Sequence, residues 1–189
     1  MVTMLSPPPQ QRATLDDLMR TEGKAELIAG MIVELRLLGC LPGQLVGRIL
    51  RQLANYADVQ GGGVYSSTLV FAVAELVSGR ESFSPDCSYF TGRLPANRMK
   101  FIVGPPDFAV EVRSEGDYGF AAEQEMAAKR ADYFEAGTLV VWDVDPLAKT
   151  VRKFNADGSD QLFTEKDTAN AEPAAPGWAL PLDWLFRDS

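Results

Sequence analysis

The sequence predicts an α/β protein with a mixed β-sheet flanked by helices, and three consecutive segments carry this prediction. Two Val-rich runs, Asp107–Arg113 and Leu139–Val144, have the composition of strands, and the second is almost continuously apolar, as in a central buried strand. Between them, Ala121–Ala136 is strongly helical and ends at Gly137. A crossover of this length between two strands predicts that they pair in parallel.

Further elements are predicted ahead of this unit. Thr14 precedes a helix and is followed three residues later by an acid, as in a capping box. Ala25–Val33 is an apolar run in which Gly30 indicates a hairpin turn or a kink. Gln44–Ala57 carries apolar residues at helical spacing, which predicts a core-facing helix.

Shorter strands are predicted around the central pair. Val64–Leu76 contains strand material, most plainly in Ser67–Val73. Asp86–Phe90 is a short strand, and Thr150–Phe154 is predicted as an edge strand. The C-terminal segment is expected to pack back on the domain through three apolar residues, Trp178, Leu182 and Trp184.

The length and composition fit one globular domain, because the chain has 189 residues, of which 46% are hydrophobic and 23% charged. Residues 1–13 are predicted to be a flexible, proline-rich tail and residues 14–189 a single domain. No apolar run approaches the roughly 20 residues of a membrane helix, and no secretory signal pattern is present. A cytoplasmic protein without a membrane partner is therefore expected. Cys40 and Cys87 form no C-x-x-C pair, which favours reduced thiols over a zinc site and leaves a disulfide as the alternative.

Histidine is absent from the sequence, and this excludes several kinds of catalysis. A Ser-His-Asp triad, a Cys-His pair and a histidine general base are impossible, so carboxylates, Lys, Tyr or an oxygen-liganded metal must supply any chemistry. The formal net charge of −8 makes the protein a poor bulk binder of nucleic acid, because phosphate contacts need Lys and Arg. A protein of this composition that acts on DNA must find positive charge locally, in a partner subunit or in a bound metal ion.

Glu111 is the first candidate for chemistry. On an alternating strand it shares one face with Asp107, Ala109 and Arg113. A carboxylate in a buried strand is costly unless a positive charge or a metal ion compensates it. The strand alone does not decide between a functional carboxylate and an ion pair without function.

Lys129 lies on the helix that follows the Glu111 strand. Helical geometry places Met126, Lys129 and Tyr133 in one narrow sector, which the other two residues mark as the inward face. A core-facing lysine near a buried carboxylate indicates a functional site. The alternative is a lysine that packs only its aliphatic stem.

Asp86 can complete this set, whereas Asp107 cannot. Residues 107 and 111 lie about 13 Å apart along one strand, too far to share an ion whose ligands sit about 2.0–2.6 Å from it. Asp86 comes from another segment and can approach Glu111 laterally, although it fits a turn or strand entry equally well. Glu26 has two interpretations: its side chain reaches the same cleft, or it caps the chain or forms an ion pair locally.

Several segments of the sequence together resemble a known family. The chain is similar to a large bacterial group of uncharacterised proteins, the "putative restriction endonuclease" family within the PD-(D/E)XK nuclease superfamily. The matching pieces, which run from about Leu15 to Phe186, are AELIAG, SPDCSYF, PPDFAVEVRS, the helix with Lys129, Tyr133 and Gly137, VVWDVDP and APGWALPL. Each piece is weak alone, but their order and spacing together are specific.

The resemblance implies a restriction-endonuclease-like fold and a role for each matching residue. Asp86 and Glu111 would be the ligands of a Mg²⁺ or Mn²⁺ ion. Lys129 would be the catalytic lysine, displaced from the strand onto the following helix, and Glu26 an accessory acid. In the wider superfamily the lysine lies two residues after the Glu, where this chain has Arg113, which would support the transition state without acting as a base.

Three departures from the family pattern accompany these matches. Ala29 replaces the acid expected in AELIAG, the polar segment after the first hairpin is LLGCLPGQ, and the proline after EVRS is missing. The metal core is intact, so the changes concern substrate contacts and the accessory role of Glu26.

The sequence as a whole predicts a metal-dependent endonuclease that hydrolyses phosphodiester bonds of nucleic acid, with DNA as the expected substrate. A homodimer is expected, because double-strand cleavage needs two sites and the apolar segment Leu35–Val46 needs cover. A non-catalytic interaction module that retains the nuclease fold is the alternative. The net negative charge and the departures from the family motifs favour it. A hydrolase built on Ser114 and Lys129 is a third and weaker hypothesis, because no glycine-flanked nucleophile elbow surrounds the serine.

Overall fold

The computed structural model describes residues 12–187. Residues 1–11 of the predicted tail therefore lie outside the described residues. The next two residues are attached to the domain. Arg12 pairs with Glu75 and Glu81 at 2.8 and 2.9 Å. The amide of Ala13 donates a hydrogen bond to the carbonyl of Gly30 at 2.8 Å.

Helices and strands are distributed along the whole described part of the chain. The helices are α1 (Leu15–Met19), α2 (Cys40–Gln60), α3 (Phe120–Ala136) and α4 (Leu182–Leu185). The strands of the first half are β1 (Ala25–Ile28), β2 (Met31–Glu34), β3 (Gly63–Ser66), β4 (Phe71–Ala72), β5 (Ser82–Phe83), β6 (Cys87–Phe90) and β7 (Ile102–Val103). The strands of the second half are β8 (Phe108–Val112), β9 (Val140–Asp145), β10 (Thr150–Asn155), β11 (Asp160–Thr164), β12 (Thr168–Asn170) and β13 (Ala179–Pro181).

A six-stranded central sheet confirms the predicted mixed α/β fold. Its strands run in the order β11-β10-β9-β8-β6-β3, in which β8 and β9 are parallel and the other neighbours antiparallel. The predicted crossover is α3, which ends at Gly137 in the left-handed conformation with φ 109°. The chain then enters β9, whose residues Val140–Val144 are all buried, as expected of a central strand.

Side chains of β8 alternate between the two faces of this sheet. Phe108 and Val110 pack into the larger core, to which α2 and the C-terminal segment contribute. Ala109 packs on the opposite face in a smaller core with Tyr133 of α3. Glu111 shares the face of Ala109 and therefore points toward α3. This alternation puts the predicted acid and the predicted lysine helix on the same side of the sheet.

The first two strands form the predicted hairpin, with Ile28 opposite Met31. Its two-residue turn has positive φ at both positions, 52° at Ala29 and 71° at Gly30. That combination defines a type I′ turn, in which Asn or Asp is usual at the first position and alanine is strained. The departure of Ala29 from the expected acid thus falls on a residue with an unfavourable backbone conformation.

Two strand predictions are wrong in detail. Ser67–Val73 is not one strand, because residues 67 and 68 form a turn, as Ser and Thr favour, and only Phe71–Ala72 pairs. Thr150–Asn155 is not an edge strand, because it pairs with both β9 and β11. The edge is β11, whose residues are mostly exposed and polar and therefore carry little strand signal.

The remaining apolar segments are accommodated in different ways. The predicted anchors of the C-terminal segment pack in or against the larger core: Trp178, Leu182 and Trp184. The segment Leu35–Val46 is not exposed throughout, because Val46 is in that core while Leu37 is 83% exposed. Both cysteines are free. Among residues 12–187, none of the helices combines the length and apolar character that a membrane span requires.

Candidate functional site

Asp86, directly before β6, lies opposite Glu111 of β8. β6 and β8 pair antiparallel with Cys87 opposite Val110, and one further step in that register places Asp86 opposite Glu111. The amide of Val112 donates a hydrogen bond to Oδ2 of Asp86 at 2.8 Å, which fixes this carboxylate against β8. The strand pairing therefore brings the two predicted metal ligands together by the lateral approach expected from the sequence.

Asp107 lies just ahead of β8, at the other end of the strand from Glu111. Its carboxylate accepts hydrogen bonds from the amide and the hydroxyl of Thr91 at 2.6 and 2.8 Å. The residue thus holds the chain that leaves β6 and has no part in the Glu111 cluster. This position agrees with the expectation that Asp107 does not share an ion with Glu111.

Glu111 is held by two residues one turn apart on α3. Nζ of Lys129 lies 2.8 Å from Oε1, and the hydroxyl of Tyr133 donates a hydrogen bond to the same oxygen at 2.6 Å. Burial raises the pKa of Glu111 above its ordinary value, and the attraction of Lys129 offsets this only in part. For Lys129, burial alone would lower the pKa, but Glu111 and Glu26 raise it, so the ammonium is charged at neutral pH.

Glu26 reaches the same cleft through the shared lysine. Its side chain is 1% exposed, Nζ of Lys129 lies 3.1 Å from Oε1, and Arg80 forms an ion pair with Oε2. The amide of Ser84 also donates to Oε1, at 2.9 Å. Burial alone would raise the pKa of Glu26, but Lys129, Arg80 and this amide together lower it below its ordinary value. Glu26 is therefore ionised and belongs to the cluster.

Two further cations at the site were not predicted from the sequence. Nζ of Lys24 lies 2.7 Å from Oδ1 of Asp86. Arg80 joins Glu26 to Asp132, with its Nε 2.8 Å from Oδ2. Lys24 precedes Glu26 by two residues at the start of an extended segment, a same-face spacing that could have identified it. Arg80 lies in a segment without periodicity, and nothing in the sequence around it signals its partners.

Arg113 occupies the superfamily's lysine position but is tied to two other acids. Its Nε and one terminal nitrogen donate to Asp143 at 2.9 and 2.7 Å, and the other terminal nitrogen pairs with Glu123. Hydrogen bonds to Asp143 and Glu123 raise its pKa above the ordinary value despite partial burial. Arg113 therefore joins β8 to β9 and α3 rather than contacting Glu111.

A cavity of about 500 Å³ opens at these side chains. Its wall also includes Arg36 and Ser114 from the loops that follow β2 and β8. The clustered residues that line it are Lys24, Glu26, Asp86, Glu111, Lys129 and Tyr133. A concave site with several ionisable groups whose pKa values are shifted is the arrangement expected of an active site.

The carboxylate pair fits a hard divalent cation with few protein ligands. Mg²⁺ prefers oxygen and commonly uses one or two carboxylates, with waters and substrate phosphates completing its shell. Both contacts of Glu111, from Lys129 and Tyr133, involve Oε1, which leaves Oε2 for another ligand. Within residues 12–187, no group of three or more acidic or cysteine side chains is arranged to hold an ion. Asp86 and Glu111 would therefore supply two side-chain ligands, and water and substrate oxygens would complete the shell.

The family of the chain follows from its sequence. A family model described as "Putative restriction endonuclease" (Uma2) matches residues 10–183. The chain belongs to this family. Membership of the Uma2 family confirms the resemblance drawn from the motifs, and the match spans all the cavity residues described above.

A solved structure shows the fold of the Uma2-family chain independently. A "putative nuclease belonging to DUF820" from Anabaena variabilis has a TM-score of 0.72 and 19% sequence identity with it. The likeness covers 92% of this chain and 97% of that chain, so it extends over the whole restriction-endonuclease-like domain. A search of curated proteins finds no match.

Proposed function

We propose that this chain is a metal-dependent endonuclease that hydrolyses phosphodiester bonds of DNA. One observation carries the proposal. Lys129 contacts Glu111, Glu111 lies opposite Asp86, and all three residues line one cavity. Membership of the Uma2 family and the fold support a nuclease function.

Asp86 and Glu111 would hold one Mg²⁺ or Mn²⁺ ion between them. The ion would polarise the scissile phosphate and lower the pKa of a bound water. The Val112 amide holds Asp86 in place at 2.8 Å, and Tyr133 holds Glu111 at 2.6 Å. Both carboxylates are thereby oriented by neighbours that do not themselves titrate near neutral pH.

Lys129 would act as a fixed positive charge rather than as a base. Its pKa is raised by Glu111 and Glu26, and a protonated amine cannot accept a proton from water. It can donate hydrogen bonds to a water or to a phosphate oxygen, and so orient the nucleophile or offset charge that develops in the transition state. Glu26 would keep the lysine charged and in place, which gives the accessory acid a positioning role.

A cleavage assay tests this proposal with a matched control. We expect wild type to cleave DNA in Mg²⁺ or Mn²⁺ and to lose activity in EDTA. Glu111→Ala and Asp86→Ala should abolish cleavage, whereas Asp107→Ala should retain it, because the Asp107 carboxylate accepts its hydrogen bonds from Thr91 at the other end of β8. Equal cleavage by wild type and the first two variants would overturn the proposal.

The alternative function, a non-catalytic module with the same fold, is favoured by one observation. Asp86 and Glu111 already have lysine partners at 2.7 and 2.8 Å, so their charges are balanced by the chain itself. A folded wild-type protein that binds neither Mg²⁺ nor Mn²⁺ and cleaves neither DNA nor RNA would establish this alternative.

The expected homodimer stays part of the proposal. Cleavage of both DNA strands by one-site protomers needs two copies, and Leu37, 83% exposed, lies beside cavity-lining residues Arg36 and Leu38. Light scattering should give twice the mass of the 20.6 kDa chain. A monomeric mass would remove the dimer from the proposal without affecting the site.

A further inference from the structure

Lys24 contacts one of the carboxylates that the proposed function assigns to the metal ion. Its Nζ lies 2.7 Å from Oδ1 of Asp86, and the two side chains are 11% and 4% exposed. The other oxygen of Asp86 accepts the hydrogen bond from the Val112 amide at 2.8 Å. Both oxygens of this carboxylate are therefore engaged by groups of the chain itself.

The backbone of Lys24 is hydrogen-bonded to the first hairpin. The residue directly precedes β1, and its carbonyl accepts a hydrogen bond from the amide of Leu35 at the end of the hairpin, at 2.8 Å. Lys24 and Glu26 are two residues apart in the chain, and both reach the main cavity. Lys24 pairs with Asp86, and Glu26 pairs with Lys129. The lysine side chain has several rotatable bonds, so its ammonium can change position while the backbone hydrogen bond is kept.

We propose that Lys24 competes with the divalent cation for Asp86 and thereby sets the metal affinity of the site. This inference rests on the proposed function, because it concerns the same metal ligand. An ion would lie about 2.0–2.6 Å from Oδ1, which an ammonium at 2.7 Å from that oxygen obstructs by its size and by repulsion between like charges. The ammonium must leave Oδ1 for the ion to bind there.

A second cavity lies beside Lys24 and could accept its side chain after displacement. A second, small cavity of about 110 Å³ lies next to the main one, and Lys24 forms part of the wall of both. Thr21, Ser67 and Ser84, whose side chains carry hydroxyl groups, are among the residues that line it. An ammonium has three N–H donors, and hydroxyl oxygens can accept them. Lys24 therefore borders both the main cavity and a second cavity lined by possible hydrogen-bond acceptors.

Calorimetric titration with Mn²⁺ tests the competition. Lys24→Met removes the ammonium and keeps a side chain of similar length, and we expect Mn²⁺ to bind roughly tenfold more tightly than to wild type, as removal of a nearby competing charge should produce. Arg36→Met is the control, because Arg36 lines the same cavity but is 72% exposed and pairs loosely with Asp117 at 3.9 Å. Its effect should be less than about twofold.

Thermal unfolding gives a second readout that does not depend on catalysis. Without its lysine, Asp86 is a buried carboxylate with no cation, so Lys24→Met should unfold at a lower temperature than wild type in EDTA. Mn²⁺ should raise its unfolding temperature more than that of wild type, because tighter binding to the native state stabilises it more. Lys24→Gln, which keeps a polar side chain, serves if the Met variant does not fold.

The outcomes separate the inference from the proposed function. Mn²⁺ binding of equal or lower affinity in the Lys24 variants, with wild type binding normally, overturns the competition and leaves the nuclease proposal standing. The same conclusion follows if Arg36→Met tightens binding as much as Lys24→Met does. Binding by the Lys24 variants alone supports the competition strongly. Absence of binding in every folded variant and in wild type overturns both.

Discussion

Nζ of Lys129 lies 2.8 Å from Glu111 and 3.1 Å from Glu26, so one ammonium joins two carboxylates from two different sheets. Glu111 belongs to the central sheet and Glu26 to the N-terminal hairpin. The helix α3 places the lysine between them. The lysine thereby connects the N-terminal hairpin to the β8–α3 unit, although Glu26 lies 103 residues before Lys129 in the sequence.

Replacement of Lys129 by Met should reduce activity and weaken the fold. If the ammonium offsets charge in the transition state, its loss should reduce the cleavage rate about 10²- to 10³-fold. Glu111 also loses its lysine partner and Glu26 keeps only Arg80, which should lower the free energy of unfolding by about 3 kcal/mol. Cleavage kinetics and urea unfolding of the same preparation measure both effects.

Lys100 is the control for the Lys129 substitution. Lys100 forms only an exposed pair with Asp16 at 3.3 Å, so Lys100→Met should leave both measurements unchanged. A Lys129→Met variant that is fully folded and cleaves at the wild-type rate would contradict the role assigned to this lysine.

Glu111→Gln should stabilise the protein at neutral pH while it removes activity. The folded-state pKa of Glu111 is raised above its ordinary value of 4.5, so ionisation of this group opposes folding. The cost is absent below the unfolded-state pKa and fully present above the folded-state pKa. An amide removes it, and the gain at pH 7 should be about 1 kcal/mol, as is typical when an unfavourable active-site group is replaced.

The pH dependence makes the Glu111 prediction specific. The difference in unfolding temperature between Glu111→Gln and wild type, measured without metal, should grow from pH 4 to pH 7. A variant that is less stable than wild type at pH 7 would show that the ion pair with Lys129 outweighs burial, contrary to the raised pKa.

Arg80 should be among the side chains most important for stability. It is 8% exposed and joins Glu26 of β1 to Asp132 of α3. Arg80→Met leaves two buried carboxylates without this partner and should lower the free energy of unfolding by about 3–5 kcal/mol. In contrast, Arg152→Met removes an exposed pair with Asp160 at 3.2 Å and should change it by less than about 0.5 kcal/mol. Equal effects of the two substitutions in urea unfolding would refute the structural role of Arg80.

Ala29→Asn should stabilise the first hairpin. Alanine has φ 52° in a type I′ turn, a conformation that Asn adopts more readily. We expect a gain of about 1 kcal/mol in the free energy of unfolding. Ala29→Val is the opposite control, because a β-branched residue at positive φ should destabilise by a similar or larger amount. A destabilising Asn would contradict the turn assignment.

The fold was predictable where periodicity is strong. The β8–α3–β9 unit carries alternating and helical patterns over its whole length, and its parallel pairing follows from the crossover. The edge strand β11 has no apolar alternation and was missed, because Phe163 is its only buried residue and pairing with β10 supplies the rest of its contacts with the sheet. Short Ser/Thr stretches such as residues 67 and 68 were misassigned because β-propensity competes with turn formation there.

The site was predictable only in part for a similar reason. Glu111 and Lys129 stand out because each is a charged residue at a position where the periodicity of its strand or helix predicts a buried side chain. Lys24 and Arg80 lie in no such pattern, and their partners Asp86 and Asp132 are more than 50 residues away along the chain. The clamp between Arg113 and Asp143 likewise depends on the register of β8 and β9, which sequence spacing alone does not fix.

A crystal soaked in Mn²⁺ would show whether the cavity binds a metal ion, because the anomalous signal of manganese locates the ion without reference to activity. We expect a peak between Asp86 and Glu111, with a carboxylate oxygen of each about 2.0–2.3 Å from the ion and Lys129 retained on Glu26. A protein crystal that shows no such peak after saturation, or that shows manganese only at other surface carboxylates, would contradict the proposed metal site.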